Sequence, residues 1–242
     1  MPGKSNRGKH PQDEKLFATS QIPSLQEAVA DLSWMRTRGY TDNSSLKLVG
    51  DRYDLTARQR VAVGRCACSD ESFHSRSERA ISPDKIGSRL VFLDGFNVLT
   101  TIEAAMAGGI LLRGRDGCIR DMSSMHGNYR VLEQSREALE HILNTMQKLN
   151  IFHSAWYLDK PVSNSGRLKG IIEEVAAEFP QLNVEVTLVH DPDPVLKEVG
   201  EKGIVATADS GILDECGEWT NLIPAILENQ ALGAEVIDLS SC

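Results

Sequence analysis

Four apolar runs in the later part of the chain end in aspartate. "RLVFLD" closes on Asp94 and "IFHSAWYLD" on Asp159. "NVEVTLVHD" closes on Asp191, with Asp193 two residues on, and "GIVATAD" closes on Asp209, with Asp214 one turn further. A helix N-cap accounts for any one of these, because aspartate accepts hydrogen bonds from the free N–H groups of a first turn. Serine, threonine and asparagine cap equally well, so capping alone does not demand aspartate at every site. Carboxylates gathered on one edge repel one another, and a cation relieves that repulsion. All-oxygen donors of this kind suit Mg²⁺ or Mn²⁺ rather than zinc.

The elements that must position these acids alternate from residue 89 onward. The run before Asp94 is continuously apolar, as in a strand buried on both faces. "FNVLTTIEAAMAGG" reads as a helix ending at Gly108-Gly109, and "ILLRGRDGCIRD" as a β-hairpin around Arg115-Asp116-Gly117. Leu132, Leu139, Leu143 and Met146 form one helical stripe, and Leu168, Ile171, Ile172 and Val175 another. Three further strands follow with helices between them, and "AEVIDL" is read as the last strand. Strand and helix in turn give a mostly parallel α/β sheet sandwiched by helices. Ligands of such sheets bind beyond the carboxyl ends of the strands, where these aspartates fall.

The first part of the chain is different. Residues 1–20 are polar and expected to be a disordered tail. Leu25, Val29, Leu32 and Met35 begin a small helical domain over 21–70, with three short helices across 24–68 and a capping-box spacing at Thr56 and Gln59. Residues 71–88 are polar without periodicity and read as a linker, leaving 89–242 as the α/β domain. Residues 1–89 hold 15 Lys and Arg against 11 Asp and Glu, whereas the rest holds 11 against 23. The basic excess leaves room for a polyanionic partner. In particular, Arg36, Arg38, Lys47, Arg52, Arg58, Arg60 and Arg65 lie among Trp34, Tyr40 and Tyr53, an interleaving suited to single-stranded nucleic acid. Charged faces of a small helical domain are the plainer reading.

No apolar run is long enough to span a membrane, and the N-terminus has no apolar segment of a secretory signal. Five scattered cysteines argue against a disulfide framework and for the reducing cytoplasm. Cys66, Cys68 and His74 make a poor zinc motif, one ligand short.

Asp94-Gly95-Phe96-Asn97-Val98 resembles the D-G-x-N-[VIL] signature of the NYN branch of PIN-like nucleases. His190-Asp191-Pro192-Asp193-Pro194-Val195-Leu196 and Ala206-Thr207-Ala208-Asp209-Ser210-Gly211-Ile212-Leu213 are similar to that branch's later acidic turns, in the same order. The resemblance covers about residues 89–240 and implies a PIN-like, Rossmannoid fold and a metal-dependent phosphodiesterase, usually acting on RNA. It implies metal ligation by Asp94, Asp191 or Asp193, and Asp209. The strand-end pattern keeps both Asp191 and Asp193 as ligands, with Asp159 and Asp214 next. The catalytic residues are read as Asp94, Asn97, Asp159 and Asp209, although Asp159 stands where the family's strand end is less regular. Thr207 would bond a carboxylate or a phosphate.

The stretch 109–130 looks like an insertion relative to a minimal module of that family. Its Arg113, Arg115, Arg120, His126 and Arg130 would clamp phosphates, with His126 or Asp121 assisting proton transfer. A solvated hairpin or a homodimer contact are the other readings of this stretch. The helical first part resembles a small uncharacterised domain that precedes such modules in archaeal and some bacterial proteins. A non-catalytic RNA-binding or assembly module is the alternative function. A haloacid-dehalogenase-like site would need an acid where Phe96 stands, and a Toprim-like site a glutamate in place of Asp94.

Overall fold

The computed structural model describes residues 8–122, 129, 131 and 134–240. Five helices come first: α1 (Asp13–Leu16), α2 (Ile22–Thr37), α3 (Asp42–Arg52), α4 (Ala57–Cys66) and α5 (Asp70–Arg79). The expected three helices across 24–68 are α2 to α4. The Thr56–Gln59 capping box opens α4, with both reciprocal hydrogen bonds made.

Two expectations for this region are corrected. The part of the tail described here, residues 8–20, is folded: Asp13 is buried against the Arg58 guanidinium (Nη2–Oδ2 2.8 Å), and Phe17 joins the helical core. The first half of the linker expected over 71–88 lies in α5, capped by Ser69, whose side chain accepts from the Ser72 N–H. Apolar periodicity misses α5 because its inward residue is an arginine: Arg76 is only 3% exposed.

The α/β part runs β1 (Val91–Asp94), α6 (Gly95–Met106), β2 (Leu111–Arg113), β3 (Ile119–Asp121), α7 (Gln134–Lys148) and β4 (His153–Asp159). It continues through α8 (Ser165–Ala176), β5 (Asn183–Val189), α9 (Pro192–Lys197), β6 (Ile204–Ala206), α10 (Ser210–Leu213), β7 (Trp219–Thr220), α11 (Ile223–Asn229) and β8 (Val236–Asp238). Five strands form an all-parallel sheet in the order β5-β4-β1-β6-β7. Val91 and Leu93 point into a core with α6, α7, α8 and α11, whereas Phe92 points into a second core with α9 and α10. The period-2 pleat thus buries both faces of β1, as its unbroken apolar run requires.

The chain winds from β1 outward through β4 to β5, then returns to β6 on the other side of β1. Strand order reverses between β1 and β6, which opens a crevice at their carboxyl ends.

The hairpin forms as expected, with Leu111 opposite Asp121. However, β8 does not extend the main sheet. It pairs in parallel with β2 (Leu111 with Val236), giving a second sheet of order β3-β2-β8. Leu112 and Ile237 close the core under α2 and α4, while Leu111 and Ile119 face the α/β core. Residues 109–122 of the stretch read as a solvated insertion therefore form the wall shared by the two halves, and the three residues of β3 are all buried.

Candidate active site

At the reversal point, the ends of β1 and β6 are tied by side chains. Asp94 caps α6, accepting from the Asn97 N–H at 3.4 Å. Thr207, just beyond β6, donates its hydroxyl to Asp94 Oδ2 at 2.9 Å and accepts from the Asp209 N–H at 3.0 Å. Asn97 Oδ1 accepts from the Ala208 N–H at 3.0 Å, which leaves its amide nitrogen as the donor end. Asp209 caps α10 through Gly211 N–H (2.8 Å) and Ile212 N–H (3.2 Å). These groups border a cleft of about 430 Å³ that is also lined by Asp159 from the end of β4, Asp193 from the first turn of α9 and Asp121 from β3.

The carboxylates perturb one another. Burial pushes the Asp94 pKa up to about 7, and the Asp209 and Asp159 charges push the same way, while the hydrogen bonds from Thr207 and Asn97 oppose it. Asp193 is also raised, by burial first and then by Asp209 and Asp191. Asp159 is raised by burial and by Asp191.

Of the acids expected as ligands, Asp94, Asp159, Asp193 and Asp209 are brought to the cleft. Asp191, the N-cap of α9 with its Oδ1 accepting from Asp193 N–H at 3.1 Å, does not line the cleft, although its charge acts on Asp159 and Asp193. Asp214 is held by Arg76 at 2.7 Å and faces a neighbouring cleft. The donor chemistry fits a hard divalent cation, because carboxylate and amide oxygens line the cleft and no histidine or cysteine among the described residues does. Among the described residues, no three His, Cys, Asp or Glu side chains are drawn together into a group that could hold a metal ion. That includes the weak zinc motif: Cys66 and Cys68 are buried thiols, and burial pushes Cys66 up to about 12.

The arginines expected to clamp phosphates have other partners. Arg113 is 3.5 Å from Asp238, and Arg115 bonds Asp70 (2.6 Å) and the Cys68 carbonyl (2.8 Å). Arg120 does line the cleft, but its guanidinium is spent on Asp116 (2.8 and 2.6 Å) and on the Ala208 carbonyl (2.7 Å). Asp116 also binds Arg76, whose side chain reaches the Ser210 carbonyl at 3.2 Å. This buried Arg76–Asp116–Arg120 unit braces the β6–α10 turn from behind. Burial alone would lower both guanidinium pKa values; Asp116 overcomes it for Arg120, and Asp116 together with Asp214 for Arg76, so both stay above the usual value. His126 and Arg130 lie outside the described residues.

Two cleft residues come from outside the α/β part, Gly64 and Arg65 of α4. Arg65, in the last turn of α4, lines the acid cleft and donates to the Asp121 carbonyl at 2.6 Å. Nothing in its local sequence separates it from the other helical arginines; only the docking of α4 on β2 of the hairpin brings it there. Asp121 also accepts from Thr101 Oγ1 at 2.9 Å.

Fold and site define a doubly wound α/β protein whose acidic cleft lies at the strand-order reversal and is completed by an N-terminal helical unit. Residues 83–225 match the family described as "Domain of unknown function (DUF5616)", and the chain belongs to it. Residues 24–79 match "Protein of unknown function (DUF434)", a match that ends with the last residue of α5. An uncharacterised protein of Methanocaldococcus jannaschii is 30% identical over 190 residues, spanning 78% of this chain and 89% of the relative. No solved structure matches the chain. Among the described residues, no helix is long and apolar enough to cross a membrane.

Proposed function

We propose that the cleft is the centre of a divalent-metal-dependent nuclease of PIN-like, NYN type, hydrolysing phosphodiester bonds of RNA in the cytoplasm. The observation that carries this reading is the meeting of Asp94, Asp159, Asp193 and Asp209, from four separate segments, on one cleft at the reversal point. Four free buried thiols among the described cysteines agree with a reducing compartment.

Asp94, Asp193 and Asp209 would hold Mg²⁺ or Mn²⁺, with Asp159 beside them. The bound ion supplies Lewis acidity and a water of lowered pKa. The chain's own groups do the rest. Thr207 holds the Asp94 carboxylate in one orientation, and the Asn97 amide nitrogen is a donor for a phosphate oxygen. In the ion-free chain burial raises the Asp94 carboxyl to about 7, so this group would release its proton on binding an ion.

The test is Mn²⁺-dependent cleavage of single-stranded RNA by the wild type, Asp94→Asn and Asp209→Asn. Cleavage lost in both variants, with folding retained, supports the reading. A wild type that binds RNA and cuts nothing sinks it. That result would favour a non-catalytic RNA-binding or assembly module, a reading helped by the absence of a metal-ready group among the described residues.

A further inference from the structure

The helical unit carries an aromatic feature that its own core does not use. Gly39 ends α2 in the left-handed region (φ +73°), a conformation that glycine adopts without strain. The chain folds back there, and the Tyr40 N–H returns to the Met35 carbonyl at 3.2 Å. This sets the Tyr40 ring beside Trp34, with centroids 6.5 Å apart and planes 16° from parallel. The Arg38 guanidinium lies 3.7 Å from the Trp34 ring centroid. Both rings stay in solvent, Trp34 at 52% and Tyr40 at 55% exposure.

Tyr40 also lines a second cleft, of about 360 Å³, together with Arg36. Gly64 and Ser210 border this cleft and the acid cleft alike. The two therefore meet at α4, beside Arg65. The sequence in space is an acid centre, an arginine at its rim, a saddle at Gly64, a second polar cleft and an exposed stack of two rings and a guanidinium.

We propose that a single-stranded polynucleotide leaves the acid cleft over Gly64, follows the second cleft and stacks its bases on the Tyr40–Trp34 pair. The inference deepens the nuclease reading by assigning a strand-holding role to the helical unit. Stacking explains why two large rings are left exposed, since every base offers a π-face and stacking tolerates any sequence. A duplex, whose bases are already stacked and paired, cannot use the platform. The chain's net charge of −8 repels a polyanion at long range, so binding has to come from local contacts such as this stack.

The experiment uses the full chain with Ca²⁺ replacing Mn²⁺ and a fluorescein-labelled oligouridylate of about 12 nucleotides, within the usual range of site sizes. Tyr40→Ala and Trp34→Ala should weaken binding by about 5- to 100-fold, while Tyr40→Phe and Trp34→Phe stay close to wild type. Unlabelled strand should quench tryptophan emission in the wild type and leave Trp34→Phe unchanged, because Trp156 and Trp219 are buried. No binding by the wild type, equal affinity in both alanine variants, or a blunt duplex binding as tightly as the single strand overturns the proposal. Strand binding through Tyr40 without any cleavage in Mn²⁺ would remove the nuclease reading and leave the track standing. Cleavage with unaltered strand affinity in both alanine variants would do the reverse.

Discussion

The Thr207 hydroxyl donates to Asp94 Oδ2 at 2.9 Å, joining the carboxyl ends of two neighbouring parallel strands across 113 residues of chain. The bond favours the ionised carboxylate and opposes the burial that raises its pKa to about 7. Removing the donor with Thr207→Val should move the Asp94 midpoint further up. A hydrogen bond to a charged group contributes roughly 1.5–3 kcal/mol, which corresponds to about one to two pH units. Thr207→Ser should restore the original midpoint. Carboxyl ¹³C titration by NMR reads this directly, and an unchanged midpoint in the valine variant would refute it.

Asp94 also makes stability depend on pH in a definite direction. Its folded pKa of about 7 lies above the ordinary 3.8, so between these values the native state holds a proton that the unfolded chain has released. Stability therefore falls as pH rises from about 4 to 7 and levels off above. Asp94→Asn removes the ionisation. At pH 8 the variant should be more stable than wild type by about a few kcal/mol, a gap that closes toward pH 4. Urea midpoints across this range decide it; parallel pH profiles for the two proteins would exclude the account.

The Arg76–Asp116–Arg120 unit is buried, with Asp116 1% exposed at its side chain. Asp116→Ala takes the carboxylate from the buried Arg120 guanidinium and leaves Arg76 with Asp214, and should destabilise the fold by about 3–5 kcal/mol. By contrast, removing the exposed Arg136–Glu140 pair (3.2 Å) should cost about 0.5 kcal/mol or less. Chemical denaturation of Asp116→Ala and Glu140→Ala compares the two; similar losses would contradict the bracing role.

Gly95 follows Asp94 where α6 passes close to β4. A Cβ there would stand 2.6 Å from Leu158 Cδ2 and 3.0 Å from the Tyr157 carbonyl oxygen. Gly95→Ala should destabilise by about 1–3 kcal/mol and shift the floor of the cleft. Gly170, inside α8, has nothing within 4 Å of such a carbon, so Gly170→Ala should stabilise by about 0.5–1 kcal/mol. Thermal melts of the two variants should move in opposite directions.

The parallel sheet and the acids at its edge could be read from the sequence because both are local signals. A strand buried on two faces must be continuously apolar, so "VFL" announces β1, and the polar residue that ends the run marks the carboxyl edge. Asp94, Asp191 and Asp209 each cap the helix that follows, which also explains why capping and site formation could not be separated residue by residue. Only the tertiary structure decided the remainder. β8 pairs with the hairpin rather than with the main sheet, because a short strand's partner is set by distant packing. α5 escaped detection because its buried contacts are ionic, and ion pairs leave no apolar periodicity. Asp191 and Asp214 share the spacing of the cleft acids yet stand outside it, one on its own helix and one on Arg76. Arg65 reaches the cleft only because α4 packs on β2 of the hairpin, a contact between segments about 50 residues apart whose local sequences do not encode each other.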